Sequence, residues 1–310
     1  MNALTKKNLQ FIGWGLLYIL FLLSFMTSYL VITASFLMIP VLILFVKLDA
    51  KRFTAFYLGI LLVVNLLLGW TGFVVLAISL FLLPPVIVIG TLYKKKAPAH
   101  LVITYGTLTF LAEMLLTLVI GFLFKLNFIT KFKTVMLDYL NNMQPAVKGM
   151  LPTQGDMQWY VDVLVQIIPL DMILFSLYFI GVTHLIGRRL LNRMGEDIPG
   201  MPPVREWKLP KAFVWIYLIA FAADMLFVSA TNSLMSALLI NLLPLLMFAF
   251  AIQAISFLAF VAHYKGWGKL LPVAGTILLI VFMPFLLVLY SLLGVFDVAF
   301  PLRERLFKSR

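Results

Sequence analysis

The sequence contains no cysteine, and only 12% of its 310 residues are charged. Without thiols the chain forms no disulfide, ligates no iron–sulfur cluster and has no cysteine nucleophile. A soluble globular chain is about one quarter charged and about half apolar, whereas this chain is 63% hydrophobic. The composition therefore excludes an ordinary soluble fold.

The signatures of common enzymes are also absent. The sequence has no phosphate-binding Walker loop, no dinucleotide-binding glycine fingerprint, no His-Glu-x-x-His zinc motif and no nucleophile elbow. Serine and histidine occur, but no motif groups them. We therefore predict that the protein is not an enzyme and that it uses no cofactor and no metal ion.

What the sequence does contain is a series of long apolar runs, each long enough to cross a bilayer as a helix. We predict an all-α polytopic protein of the plasma membrane with about eight to nine spans. The predicted spans cover residues 9–26, 28–46, 53–70, 73–93, 100–124, 164–187, 212–231, 236–263 and 270–296.

The basic residues of the connecting segments predict a cytoplasmic N-terminus. With that orientation, roughly twice as many lysines and arginines lie inside as outside, in agreement with the positive-inside rule. The net charge of +12 is therefore assigned to loops beside anionic lipid, and no nucleic-acid partner is expected. Nine spans would place the tail from Arg303 outside, unless a break at Met283-Pro284 returns it to the inside.

The longest connection, residues 125–163, is predicted to lie outside the membrane. Its apolar residues recur at spacings of three and four, which is typical of an amphipathic helix in the headgroup layer. The segment is either a connector lying on the surface or a lid over an outward-facing pocket. The recurring residues are Phe128, Phe132, Val135, Tyr139 and Met143.

Three carboxylates lie inside apolar spans, at or just outside the predicted midplane: Glu113, Asp171 and Asp224. A charge at this depth is expensive and normally faces the bundle interior or a wet cavity. With Asn241, these acids are predicted to bind a small cationic or polar solute in an outward-facing cavity. A proton relay is one alternative. Another is that the acids are satisfied by hydroxyls and by neighbouring amides, namely Asn65, Gln166, Asn241 and Gln253.

The stretch MPPVREWKLP, residues 201–210, places three prolines, three charges and a tryptophan on the predicted cytoplasmic side. Proline favours extended backbone, and tryptophan is common at a membrane interface. The stretch is either a spacer between two groups of spans or a surface that docks a membrane-protein partner. In the docking interpretation the contact residues are Arg205, Glu206, Trp207 and Lys208.

Two segments, MPPVREWKLPKAF and LLGVFDVAFPLRERL, resemble the YybS-like family of uncharacterised bacterial integral membrane proteins. The resemblance extends over nearly the whole chain. The residues that carry it are Pro203, Glu206, Trp207, Pro210, Gly294, Asp297 and Arg303.

The resemblance implies a distant similarity to the substrate-binding S components of energy-coupling-factor transporters, which have six helices and an outward-facing solute pocket. Glu113 and Asp171 would then lie near the solute region. The first span lacks the Ala-x-x-x-Ala pattern with which S components dock their coupling subunit. The resemblance also implies a partner, a membrane-bound cyclic-di-AMP phosphodiesterase.

We accordingly predict an S-component-like block over residues 1–190, a cytoplasmic linker over 191–211 and a C-terminal block of two to three spans over 212–310. The predicted function is solute binding or transport. The alternative is a non-catalytic membrane scaffold, or a regulatory partner of a signalling or envelope enzyme.

Overall fold

A computed structural model describes residues 3–143, 157–227, 233–300 and 302–304. Within these ranges the chain is helical and contains no strand, and six helical segments are long and apolar enough to cross a membrane. The predicted all-α polytopic membrane fold is thereby confirmed. The span count and the cytoplasmic N-terminus stay predictions. Parts of three predictions lie outside the described residues: 144–156 of the outer connection, 228–231 of one span, and most of the C-terminal tail.

The helices follow the predicted spans closely over the first half of the chain. In chain order they are α1 (Ala3–Leu23), α2 (Leu30–Thr33), α3 (Met38–Lys47), α4 (Ala50–Leu68), α5 (Gly72–Lys94), α6 (Ala99–Leu123), α7 (Phe128–Asn141), α8 (Met157–Gln166), α9 (Ile168–Arg193), α10 (Ala212–Phe227), α11 (Ser233–Tyr264), α12 (Leu270–Val281) and α13 (Met283–Ala299).

The described chain forms two compact units, and the first comprises residues 1–128 and 172–201. Its core is built around α3, in which every residue from Met38 to Leu44 is buried. A helix that is apolar on all sides belongs in the interior, and α3 packs against both α1 and α5. At one end of α3, Lys47 forms an ion pair of 2.6 Å with Glu196.

The second unit comprises residues 129–171 and 202–310, and α11 is its central helix. Helix α11 is 32 residues long and packs against α10, α12 and α13. The predicted amphipathic helix of the outer connection is present as α7, whose Lys133 pairs with Asp162 of α8 at 2.6 Å. The division of the chain predicted from its sequence, with boundaries at residues 190 and 211, stays a prediction.

The last predicted span, residues 270–296, is wrong as a single helix. It consists of α12 and α13, which are separated at Phe282. Pro284 stands in the first turn of α13. A backbone N–H in that turn would have no partner within the helix, so its absence from proline is not destabilising. Proline does, however, prevent the preceding helix from continuing through this position. The Tyr290 hydroxyl donates to the carbonyl oxygen of Gly275 at 2.8 Å, so α12 and α13 form a helical hairpin. The alternative of a break at Met283-Pro284 is thereby confirmed.

Candidate functional site

Glu113 lies on α6, in the first unit. Its Oε2 is buried and has no hydrogen-bond partner within the described part of the chain. The neighbouring Thr117 hydroxyl donates to the backbone carbonyl of Glu113, and not to the carboxylate. The described part of the protein therefore leaves this oxygen unsatisfied, and the predicted role of Glu113 as a solute ligand stays a prediction.

Asp171 lies in the first turn of α9 and is exposed. Its N–H donates to the carbonyl oxygen of Ile167 at 3.0 Å, which continues the helix across the junction with α8. A carboxylate in the first turn interacts favourably with the helix dipole. Asp171 therefore has a local structural use that needs no solute, and its predicted role as a solute ligand stays a prediction.

Asp224 lines a cavity of about 300 Å³ in the second unit. Gln166, at the end of α8, and Ser236, in the first turns of α11, supply the other polar side chains of the wall. Leu239 and Pro244 are among the apolar residues that complete it. The cavity thus combines one carboxylate, an amide and a hydroxyl inside an otherwise apolar bundle.

Asn241 holds the break between α8 and α9 beside this cavity. Its Oδ1 accepts from the N–H of Leu170 at 2.9 Å, and its Nδ2 donates to the carbonyl oxygen of Gln166 at 2.8 Å. A helix break frees backbone groups that must be satisfied inside a membrane, and Asn241 satisfies one on each side of Ile167. The predicted solute ligand Asn241 therefore shapes the site through the backbone of its neighbours.

The second polar centre of this unit was not predicted as a site. Asp297, on α13, has a side chain with no exposure and forms a salt bridge with Arg303, 2.6 Å between Oδ2 and Nη2. A second contact of 2.9 Å joins Oδ1 to Nε, so the pair is bidentate. Gln253 of α11 donates to the same carboxylate. Gln253 was one of the amides expected to satisfy an intramembrane acid, and the acid that it bonds is Asp297.

The remaining donors of Arg303 hold the segment 201–210. Nη1 donates to the carbonyl oxygen of Arg205 at 2.7 Å, and Nη2 donates to that of Trp207 at 3.2 Å. The hydroxyl of Ser256 on α11 also donates to the Trp207 carbonyl, at 2.7 Å. A buried, forked guanidinium has five N–H donors, so it can bind a carboxylate through two of them and two carbonyls at the same time, which the three donors of a lysine cannot do.

This network brings together the two segments that carried the family resemblance. The first segment contains Glu206 and Trp207. The second contains Gly294, Asp297 and Arg303. The hydrogen bonds of Arg303 join the two segments within one unit. The tail at Arg303 therefore lies at the same end of the unit as the 201–210 segment. Nine full spans would put the two on opposite sides, whereas the hairpin of α12 and α13 brings them to the same end of the unit.

Comparison with known proteins supports the same relationship. The sequence profile described as "Predicted membrane protein (DUF2232)" matches residues 15–298. The "Uncharacterized protein YybS" of Bacillus subtilis (strain 168) is 29% identical over 226 residues, which cover 71% of this chain and 72% of the relative. No solved structure gives a significant match. The protein is thus a multi-pass membrane protein, and it belongs to the DUF2232 family.

Proposed function

We propose that the protein binds a small amine-bearing or polar solute in the Asp224 cavity and takes part in its transport. The observation that supports this is a carboxylate in a cavity of about 300 Å³ beside a broken helix, within an apolar bundle. Discontinuous helices are where membrane transporters commonly hold solutes, because their free ends and carbonyls coordinate polar groups.

The charge of the cavity favours a cation. Asp224 is its charged group, and no lysine, arginine or histidine lines it among the described residues. Gln166 and Ser236 offer neutral dipoles to the rest of a polar solute.

Asp224 lies 12 residues beyond the start of α10, about 18 Å along the helix. With the predicted orientation, this depth places Asp224 just beyond the bilayer midplane, in the half that faces the outside.

Asp224→Asn is expected to weaken amine binding about tenfold or more, because a hydrogen bond to a charged group contributes about 1.5 to 3 kcal/mol. The measurement is thermal unfolding of the full-length protein in detergent micelles, titrated separately with choline, putrescine and ethanolamine. Asp138→Asn, at an exposed acid of α7, is the matched control and should respond like the wild type. Equal stabilisation of Asp224→Asn and wild type by every active amine, or no active amine at all, would refute the proposal.

A scaffold function is the second candidate, and the fixed backbone of the 201–210 segment favours it. Arg303 and Ser256 hold the carbonyl of Trp207, while the side chains of Glu206 and Lys208 are exposed. A rigid segment that presents charges loses little entropy when a partner docks. In line with the family resemblance, a membrane-bound cyclic-di-AMP phosphodiesterase is the partner that we propose for this surface.

Exchanging the charges of that surface, with Glu206→Lys and Lys208→Glu in one chain, is expected to abolish partner recovery after cross-linking in intact cells. Like-charge contacts across an interface cost several kcal/mol. Asp224→Asn should leave recovery unchanged, since the scaffold does not need the cavity. Undiminished recovery of the phosphodiesterase by the exchanged variant would exclude this surface.

A further inference from the structure

A larger cavity, of about 730 Å³, lies between α11 and α12 in the second unit. Its walls are apolar on both helices: Ile255, Ala259 and Ala262 come from α11, and Val273 and Ile277 come from α12. The volume falls within the range of about 300 to 1,000 Å³ that is usual for ligand pockets. We refer to it as the α11–α12 cavity.

The α11–α12 cavity has a basic lining. Arg205, His263 and Lys269 line it, and no acidic residue does among the described part of the chain. The acid nearest to this group in sequence is Glu206, whose Oε1 lies 3.7 Å from the Nε of Arg205. Both side chains of that pair are partly exposed, so it neutralises Arg205 only weakly.

Two further features hold Arg205 and Lys269 in place beside the cavity. The carbonyl of Arg205 accepts from Arg303, which anchors the backbone and leaves the Arg205 side chain beside the cavity. Between the helices, Gly266 and Gly268 have φ angles of +71° and +67°. Glycine adopts these angles without strain, so the tight turn places Lys269 directly before α12.

We propose that the α11–α12 cavity binds an anionic phospholipid, with an acyl chain along the apolar walls and the phosphate between Arg205 and Lys269. The apolar walls match an acyl chain, but they would accept the tail of any lipid. The basic residues are what favour an anionic headgroup. Basic pockets between membrane helices bind acidic headgroups. An arginine and a lysine together supply a forked and a mobile donor for the phosphate oxygens.

The test is native mass spectrometry of the full-length protein, delipidated and then incubated with equal amounts of phosphatidylglycerol and phosphatidylcholine. The wild type should retain phosphatidylglycerol at least tenfold over phosphatidylcholine. Arg205→Gln with Lys269→Gln should bring that ratio to within twofold of one. Lys131→Gln with Lys211→Gln removes the same charge at two exposed residues that do not line the cavity, and it should keep the wild-type ratio.

A second pair of variants tests the apolar walls. Ala259→Phe narrows the cavity and should weaken the retention of both lipids. Ala274→Phe adds the same group to an exposed residue of α12 outside the cavity and should retain them. If the double glutamine variant does not purify, Lys269→Gln alone tests the headgroup contact, because that side chain is exposed.

In these two tests the proposal is overturned by a wild type without headgroup preference, by a preference that survives Arg205→Gln with Lys269→Gln, or by full retention in Ala259→Phe. A third experiment adds inorganic phosphate or glycerol phosphate as a competitor of the bound lipid. Neither should displace the lipid at millimolar concentration. Displacement by inorganic phosphate, together with phosphate binding by Ala259→Phe, would assign the basic residues to a free anion instead.

Discussion

Asp297→Asn is expected to lower the free energy of unfolding by about 3 to 5 kcal/mol, because it leaves the Arg303 guanidinium buried without its counter-charge. The Asp297 side chain has no exposure and that of Arg303 is 12% exposed, so water cannot replace the lost partner. Helices α11 and α13 and the 201–210 segment meet at this pair. The measurement is unfolding in mixed micelles of increasing SDS fraction, followed by tryptophan fluorescence.

Asp49→Asn is the matched control for this prediction. Asp49 pairs with Arg52 at 3.3 Å, but the two side chains are 58% and 81% exposed. Exposed pairs contribute about 0 to 1 kcal/mol, and asparagine caps a helix as well as aspartate does. Asp297→Asn combined with Arg303→Gln should recover part of the loss, since no unpaired charge remains. A single Asp297→Asn variant as stable as Asp49→Asn would contradict the buried-pair interpretation.

Much of the fold follows from the sequence because a bilayer forces long apolar runs into helices. The predicted span 100–124 is α6 to within one residue at each end. Span 270–296 failed because hydropathy does not register a break whose flanking residues are all apolar. Pro284 was the available signal for it. Proline also occurs inside α5 without ending that helix, at Pro84 and Pro85, so proline alone does not decide the matter.

The site was less predictable, because its contacts join residues that are far apart in sequence. Asp224 was predicted from its type and depth, and it does line a cavity. Arg303 reaches Arg205 across 98 positions, and Asn241 reaches Leu170 across 71. Residue type says that a buried arginine needs partners, but only the packing of α11 against α13 says which ones.

Gly294→Ala is expected to destabilise the second unit by about 1 to 3 kcal/mol, the usual cost of overpacking. A Cβ atom at Gly294 would overlap the backbone oxygen of Phe250 and lie 2.8 Å from its carbonyl carbon. Backbone atoms cannot rotate aside as a side chain can. The closely packed helices α11 and α13 would therefore have to separate, and close approach through small residues is what drives association inside a membrane.

Separation of α11 and α13 would also pull Gln253 from Asp297, so Gly294→Ala should loosen the 201–210 segment as well. Hydrogen exchange of the Leu209 amide, which donates to Gln253 at 2.9 Å, reports this second effect directly. Gly181→Ala on α9 is the control, because a Cβ atom there meets nothing within 4 Å. That variant should be neutral or stabilising, since alanine favours a helix over glycine by about 0.5 to 1 kcal/mol. Equal stability of the two alanine variants would mean that the α11–α13 approach is not as close as Gly294 indicates.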